Sequence, residues 1–398
     1  MDQHNVLEIS YEEENQSTCE QCQFLLEKVE SLEKENKSLL MENNDLRLEN
    51  SKNKEDLKTF QEKHIYKYEN ISKDKHHFKS ATGLELEVFD HLLTFLNPGN
   101  NGENIKFYDA SNREKSNTTP STATPNKETP QKRGPRPNLI PVNQLFLVLV
   151  WLKCGFSLSH IAWLFDTPKS TVSRYLITWI NFLYFSLGSL PIWPTKQQVQ
   201  ETMPECFKTT YPTTRCIIDC TELFCQSPSS LSIQSSLFSY YKHHVTYKGL
   251  LGIAPSGAIT FISQLYSGSV SDKEIVNSSG LLNKELWDKD DAIMADRGFT
   301  IEEELSKIGV QLNIPAFLDG REQLTKGEVK ESQSIASVRI HVERAIQRVK
   351  KFKQIRNEIP LVLHGSINQI WTVACLLCNL LPPLIQKESN TAQPNPEK

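Results

Sequence analysis

Two short apolar runs, each closed by a single aspartate, constrain the fold of this chain more than any other feature. Cys216, Ile217 and Ile218 lead into Asp219, and Ala292, Ile293, Met294 and Ala295 lead into Asp296. Short unbroken apolar runs bounded by polar residues read as buried strands, so both carboxylates are expected to project from strand ends. Residues 246–254 and 258–266 read as two more strands, joined by a hairpin turn at Pro255, Ser256 and Gly257. Residues 268–272 open a helix, 301–308 are helical, and a long helical pattern contains Glu343. The order strand, hairpin, helix, strand, helix, short strand, long helix predicts an α/β fold with a mixed sheet.

Glu343 follows Asp296 by 47 positions, far enough for a helix to lay its carboxylate across the two strand ends. Carboxylates gathered in that way hold two Mg²⁺ ions about 3.5–4 Å apart, one activating an attacking oxygen and one stabilising the leaving oxygen of an in-line displacement. The bland alternative is that the three acids are helix caps and solvent-facing charges.

At 398 residues the chain suits two or three domains. Its net charge of −4 is unevenly spread, with Glu and Asp concentrated in residues 1–60 and Lys and Arg in residues 339–356, so whole-chain charge excludes no nucleic-acid partner. Nine cysteines without framework spacing, and no signal-peptide pattern, predict reduced thiols in an intracellular protein. No apolar run was expected to reach the roughly 18 residues that span a bilayer, which argues against a membrane protein.

Leu25, Leu32, Leu39 and Leu46 recur every seven residues, and Val29, Asn36, Asn43 and Asn50 lie four after them. Leu at d with Asn at a predicts a parallel, in-register homodimeric coiled coil of modest stability over 24–62. A solvated charged helix is the alternative. Residues 1–23 and 386–398 are expected to be disordered. Residues 63–138 read as a largely disordered linker with a short helix near 84–96 and a basic Pro/Gly cluster from Lys132 to Pro137, which suits a minor groove or a nuclear import signal.

Residues 139–200 read as a helical domain: 141–154, 157–165 and 170–187, with a tight turn at Asp166, Thr167 and Pro168. Lys169, Ser170, Thr171, Ser173 and Arg174 line the start of the third helix, where a recognition helix would meet bases and phosphates. Three-helix packing without DNA accounts for the same pattern. The last domain is expected over 206–385.

The ordered segments IIDCT, YKHHVTYK, GSVSD, LLNKELWDKDDAIMADRGF and SVRIHVERAI make residues 139–385 resemble a DDE transposase of the PIF/Harbinger type, a superfamily endonuclease with an RNase H-like fold. The resemblance implies Asp219, Asp296 and Glu343 as catalytic, metal-holding acids, with Asp272 of GSVSD as a further ligand, a helix cap or a support to the metal. It implies two Mg²⁺ ions, with Mn²⁺ substituting, and hydrolysis and strand transfer at element ends by a nuclear protein. Its partners would be element-end DNA, target DNA and, in some systems, a second element-encoded protein. Arg339 and Lys350 share a helix face with Glu343, similar to the Arg-Glu-Lys signature of related cut-and-paste transposases whose usual Tyr falls at Ala336. Tyr241, Lys242, His244 and Lys248 are candidates for the DNA backbone, or simply a solvated strand edge. Relatives often carry an N-terminal zinc finger; Cys19 and Cys22 lack the further ligands a tetrahedral site needs, and Cys375 and Cys378 read as core. A host-recruited, dimeric DNA-binding protein that no longer uses its acids is the competing reading.

Overall fold

The computed structural model describes residues 4–64, 66–106, 139–318 and 320–385, with side chains of the first helix described for 23–55. It divides into two units, Met1–Ile65 and Tyr66–Lys398. The first is one helix, α1 (His4–His64). The backbone is thus helical from His4, where disorder was expected; the helix runs 61 residues, about 90 Å at 1.5 Å per residue. The basic cluster 132–137 and the tail 386–398 lie outside the described residues.

The second unit begins with α2 (Tyr68–Ile71), α3 (Lys75–Thr82) and α4 (Leu86–Leu96). Residues 66–106 correct the linker expectation, because this segment packs its apolar side chains into the core of the second unit. Phe78, Leu84 and Phe89 are fully buried, and Ile105 nearly so. The Phe78 and Phe89 rings meet edge to face at 5.2 Å, and Phe78 stacks on Phe146 at 5.6 Å. Asn143 ties the segment down, accepting from the Tyr68 amide at 2.8 Å and donating to Glu69 at 2.9 Å.

Phe146 belongs to α5 (Pro141–Cys154), which is followed by α6 (Leu158–Leu164) and α7 (Lys169–Gly188), close to the three expected helices. The turn between α6 and α7 places Asp166 at φ 44° and Pro168 as the cap of α7. In the core, the Trp179 indole donates to Gln144 at 2.8 Å and Gln144 donates to the Leu139 carbonyl at 2.7 Å, so both buried polar groups are satisfied. Two short helices, α8 (Lys196–Thr202) and α9 (Glu205–Lys208), lead to the sheet.

The sheet comprises β1 (Thr214–Phe224), β2 (Phe238–Ser239) after α10 (Leu231–Leu237), β3 (His244–Ile253), β4 (Ile259–Ser267), β5 (Ala292–Met294) and β6 (Gln311–Asn313). Its main path is β4-β3-β1-β5-β6, with β2 on the end of β3; β1, β5 and β6 are parallel and β3 is antiparallel to β1 and β4. The β3–β4 hairpin turns at Gly257, whose φ of 88° suits glycine. Helices α11 (Asp272–Ser278) and α12 (Glu302–Ile308) cover one face. The other is covered by α13 (Lys326–Val349) and α15 (Ile367–Cys378), with α14 (Lys353–Arg356) between them in sequence.

Strand alternation sorts the two faces. Cys216, Ile218, Leu250, Ile293 and Ala295 pack with α11 and α12. Ile217, Leu251, Ile253 and Met294 pack with Val338, Val342 and Ile346 of α13 and with Trp371 of α15. That second core is continuous with the core of α3 to α7, so the helical part and the sheet share one interior rather than forming the two separate domains expected at 139–200 and 206–385. Leu361–Cys378 is apolar enough over 18 residues to pass for a membrane span, which the sequence reading missed. Its α15 portion is core, with Ile370, Trp371, Val373, Ala374, Cys375 and Leu377 at 1% exposure or less, and Cys378 is buried beside them.

If residues 66–106 are part of the folded unit, Phe89→Ala should destabilise it by about 3–5 kcal/mol, the range for deleting a buried aromatic ring. Urea unfolding of the full chain measures this, and a loss under about 1 kcal/mol would return the segment to the status of a linker.

Candidate active site

The position of the acids follows from one register. Ile217 of β1 pairs with Met294 of β5 in parallel, so the residues two further on, Asp219 and Asp296, emerge side by side on the face of Ile217 and Met294. That is the face on which α13 packs. Asp219 is not at a strand end, as expected from sequence, because β1 runs on to Phe224 along β3, with Asp219 opposite Leu251. What ends beside it is the neighbouring β5, two residues before Asp296.

Helix α13 starts with a capping box, in which Thr325 and Glu328 satisfy each other's backbone amides. Its buried stripe of Ile335, Val338, Val342 and Ile346 fixes its rotation on the sheet. The rotation carries Arg339 and Glu343, one turn apart, to the acidic face. Arg339 Nη2 donates to Glu343 Oε1 at 2.9 Å and stands 3.8 Å from Asp296 Oδ1. Asp296 Oδ1 also accepts from the Arg297 amide at 2.8 Å. Burial holds the Asp219 carboxyl up at about 6; the Arg339 charge opposes this rise, and the Asp296 and Glu343 charges add to it. The structure therefore brings together Asp219, Asp296, Glu343 and Arg339.

Mg²⁺ takes oxygen ligands, and three carboxylates are donors of that kind. The desolvated Asp219, with the like charges of Asp296 and Glu343 acting on it against Arg339, is the group a cation would relieve. The donor chemistry thus fits a divalent ion. As the side chains stand, the cation among them is the Arg339 guanidinium, and no three acids, histidines or cysteines among the described residues are grouped closely enough to hold a metal.

The remaining expected residues are differently placed. Asp272 does not cap α11; Ser271 does, accepting from the Glu274 amide at 3.2 Å. Asp272 lies instead 3.3 Å from Lys248 Nζ and against the Cys220 thiol, whose pKa rises mainly through burial. Because Cys220 follows Asp219 in a strand, this cluster belongs to the opposite face of the sheet, away from the three acids. Lys248 is engaged there, with its ammonium also donating to the Val270 carbonyl at 3.0 Å. Lys350 is half-buried, donates to the Glu222 carbonyl at 3.0 Å, and has its pKa lowered by burial first and then by Lys242. Arg339, Lys248 and Lys350, expected on DNA, are thus occupied inside the protein.

Lys242 is exposed, 4.3 Å over the Tyr241 ring, and His244 stacks edge to face on Phe224 at 5.0 Å. On α7, Lys169, Ser170 and Arg174 are exposed and Thr171 and Ser173 half-buried, away from the acids in sequence and element. Sequence reasoning missed Glu222, whose carboxylate accepts from Ser239 at 3.0 Å and Thr246 at 2.8 Å while its carbonyl takes Lys350. It also passed over Arg339 as a counter-ion, although the i, i+4 spacing to Glu343 signalled that pair.

Comparison with known proteins adds two matches. Residues 218–379 match the family described as DDE superfamily endonuclease, and residues 137–189 match the helix-turn-helix of DDE superfamily endonuclease. No curated protein matches the chain. Together the matches make the chain similar to a DDE superfamily endonuclease with its helix-turn-helix.

A folded-state carboxyl near 6, against an ordinary 3.8, means the native state holds this proton more tightly than the unfolded chain. The ionised Asp219 therefore costs stability above pH 6, and that cost is relieved as pH falls from about 6 towards 4. Asp219→Asn should stabilise the protein by on the order of 1–3 kcal/mol at pH 8 and by little at pH 4. Denaturant midpoints at the two pH values test this; a variant less stable than wild type at pH 8 would refute it.

Proposed function

We propose that the chain is a DDE transposase of the PIF/Harbinger type, which hydrolyses phosphodiesters at element ends and joins the resulting 3′-hydroxyl to target DNA. The observation that carries the reading is the convergence of Asp219, Asp296 and Glu343 from β1, the end of β5 and α13, inside the segment that matches the endonuclease family. The mixed sheet, with Asp219 on β1 and Asp296 two residues past the end of the adjacent parallel β5, supports an RNase H-like catalytic fold.

In this reading Asp219, Asp296 and Glu343 hold the divalent ions, Mg²⁺ or Mn²⁺. When bound, these ions would supply activation of the attacking oxygen and charge for the leaving oxygen. The protein's own work is positioning and electrostatics, with no covalent intermediate. Asp219 is ionised above about pH 6, and a proton on its carboxyl below that value removes one charged donor. Arg339 fixes the rotamer of Glu343 and spreads positive charge to Asp296. Lys350 anchors the end of α13 to β1 through the Glu222 carbonyl. The first two turns of α7 present Lys169, Ser170, Thr171, Ser173 and Arg174 to DNA within the segment matched as helix-turn-helix.

Glu343→Gln should abolish cleavage in Mg²⁺ or Mn²⁺ while leaving DNA affinity within a few fold, because it removes a metal-holding charge and none of α7. End-mapping of 3′-hydroxyls on genomic DNA, alongside a binding titration, measures both. Binding by wild type and variant with cutting by neither would favour the host-recruited DNA-binding protein.

The same reading takes α1 as a homodimeric coiled coil. Leu25, Leu32, Leu39 and Leu46 are each more than half exposed along one helix, and partner leucines at the same heptad positions would cover them. The wild-type chain should sediment as a dimer at micromolar concentration, and Leu32→Pro with Leu39→Pro should yield a monomer whose remaining fold is intact. A monomeric wild type would end the proposal.

A further inference from the structure

A second charged cluster lies outside the acidic face. Arg348 in the last turn of α13 and Lys351 just beyond it meet Lys153 from the last turn of α5 and His76 and Lys79 from α3 around an open cleft of about 460 Å³. Among the described residues no carboxylate lines this cleft or forms an ion pair with Lys153 or Lys351. Two of the cations have internal partners: Lys79 pairs with Glu85, and Arg348 Nη1 donates to the Pro382 carbonyl at 2.7 Å. Lys153 is half-buried and lies 5.8 Å over the Phe352 ring. Its ammonium is pushed below its ordinary range, first by burial and then by the charge of Lys351.

The cleft is built rather than incidental. Gly83 ends α3 at φ 83°, and a Cβ there would come within 3.2 Å of the Lys153 side chain, so the glycine leaves room for that lysine to reach the opening. Three elements distant in sequence thus converge to hold like charges together. Such an arrangement costs stability unless an anion answers it.

We propose that this cleft grips a phosphate of the DNA backbone, as a contact separate from both α7 and the acids. The proposal rests on the reading of the chain as a DNA-binding nuclease. The placement supports it: α5 lies within the segment matched as helix-turn-helix, and α13 carries Glu343. A phosphate held between their ends ties the duplex to both DNA-handling parts at once, without reading its sequence.

The test is the salt dependence of binding by the full chain to a 30-bp duplex of arbitrary sequence, for wild type, Lys351→Gln, and Lys153→Met with Lys351→Gln. Each lost phosphate contact reduces the slope of log K against log salt by about 0.9. The double variant should lose about 0.9 from the slope and bind roughly tenfold more weakly at low salt. Lys351 is exposed, so the single variant should keep its fold, which thermal unfolding checks. An unchanged slope in a folded variant would overturn the proposal. So would an unchanged slope combined with pyrophosphate protecting wild type but not the double variant against unfolding, which would assign the cleft to a small phosphorylated ligand. If wild type fails to bind DNA at all, the DNA-binding reading falls and this proposal with it.

Discussion

The acidic face depends on the parallel register that sets Ile217 beside Met294. Side chains alternate along a strand, so this one pairing decides that Asp219 and Asp296 appear together and on the face of α13. A slip of one residue in either strand would send one aspartate to the face of α11 and α12, where Cys220 and Asp272 meet. The register is held by apolar residues on both sides: Ile217 and Met294 in one core, and Cys216, Ile218, Ile293 and Ala295 in the other. It is also held at its start, where Arg215 and Asp291 are buried beside each other at 3.9 Å, and Arg215 donates to the Pro194 carbonyl at 2.7 Å. The gathering of acids on one side of the sheet thus depends on hydrophobic packing on both.

Much of this was legible in the sequence, because the strands are continuous apolar runs and the hairpin has its Pro-Ser-Gly turn. The three acids were legible too, as single charges at the ends of apolar runs and within a helical pattern. Sequence did not show that β3 pairs with β1 past Asp219, since strand length there depends on a partner and not on local composition. Nor did it show that Ser271 takes the cap and leaves Asp272 to Lys248, because Ser and Asp are equally good caps and only packing chooses between them. Residues 66–106 were misread for a similar reason. In α3 the apolar Phe78 and Ala81 stand among Lys75, His76, His77, Lys79 and Ser80, too sparse a stripe to stand out, yet Phe78 is among the most buried side chains.

The shared core changes what the helical part can do. A helical part on a tether would move independently of the three acids. Here α7 packs against α15, whose Trp371 lies under the sheet and donates to the Ser263 carbonyl of β4 at 3.1 Å. The start of α7 is therefore fixed relative to the acids by close-packed side chains, which transmit displacement rather than absorb it. Substitutions at Trp371 or Trp179 would disturb the spacing between the two without touching either.

Charge balance gives the acidic face its remaining logic. Three carboxylates against one guanidinium leave two negative charges in a partly desolvated site, where burial raises the Asp219 carboxyl and the charges of Asp296 and Glu343 add to that rise against Arg339. Arg339 is suited to stand among them, because its planar fork donates to Glu343 while still facing Asp296, which the compact ammonium of a lysine does less well. A guanidinium cannot discharge by losing its proton at ordinary pH, so it remains a fixed counter-charge. The excess it leaves uncompensated equals the charge of one divalent cation. Replacing any one acid by its amide would remove half of that excess, and for Asp219, the most desolvated of the three, the protein should gain stability in that step.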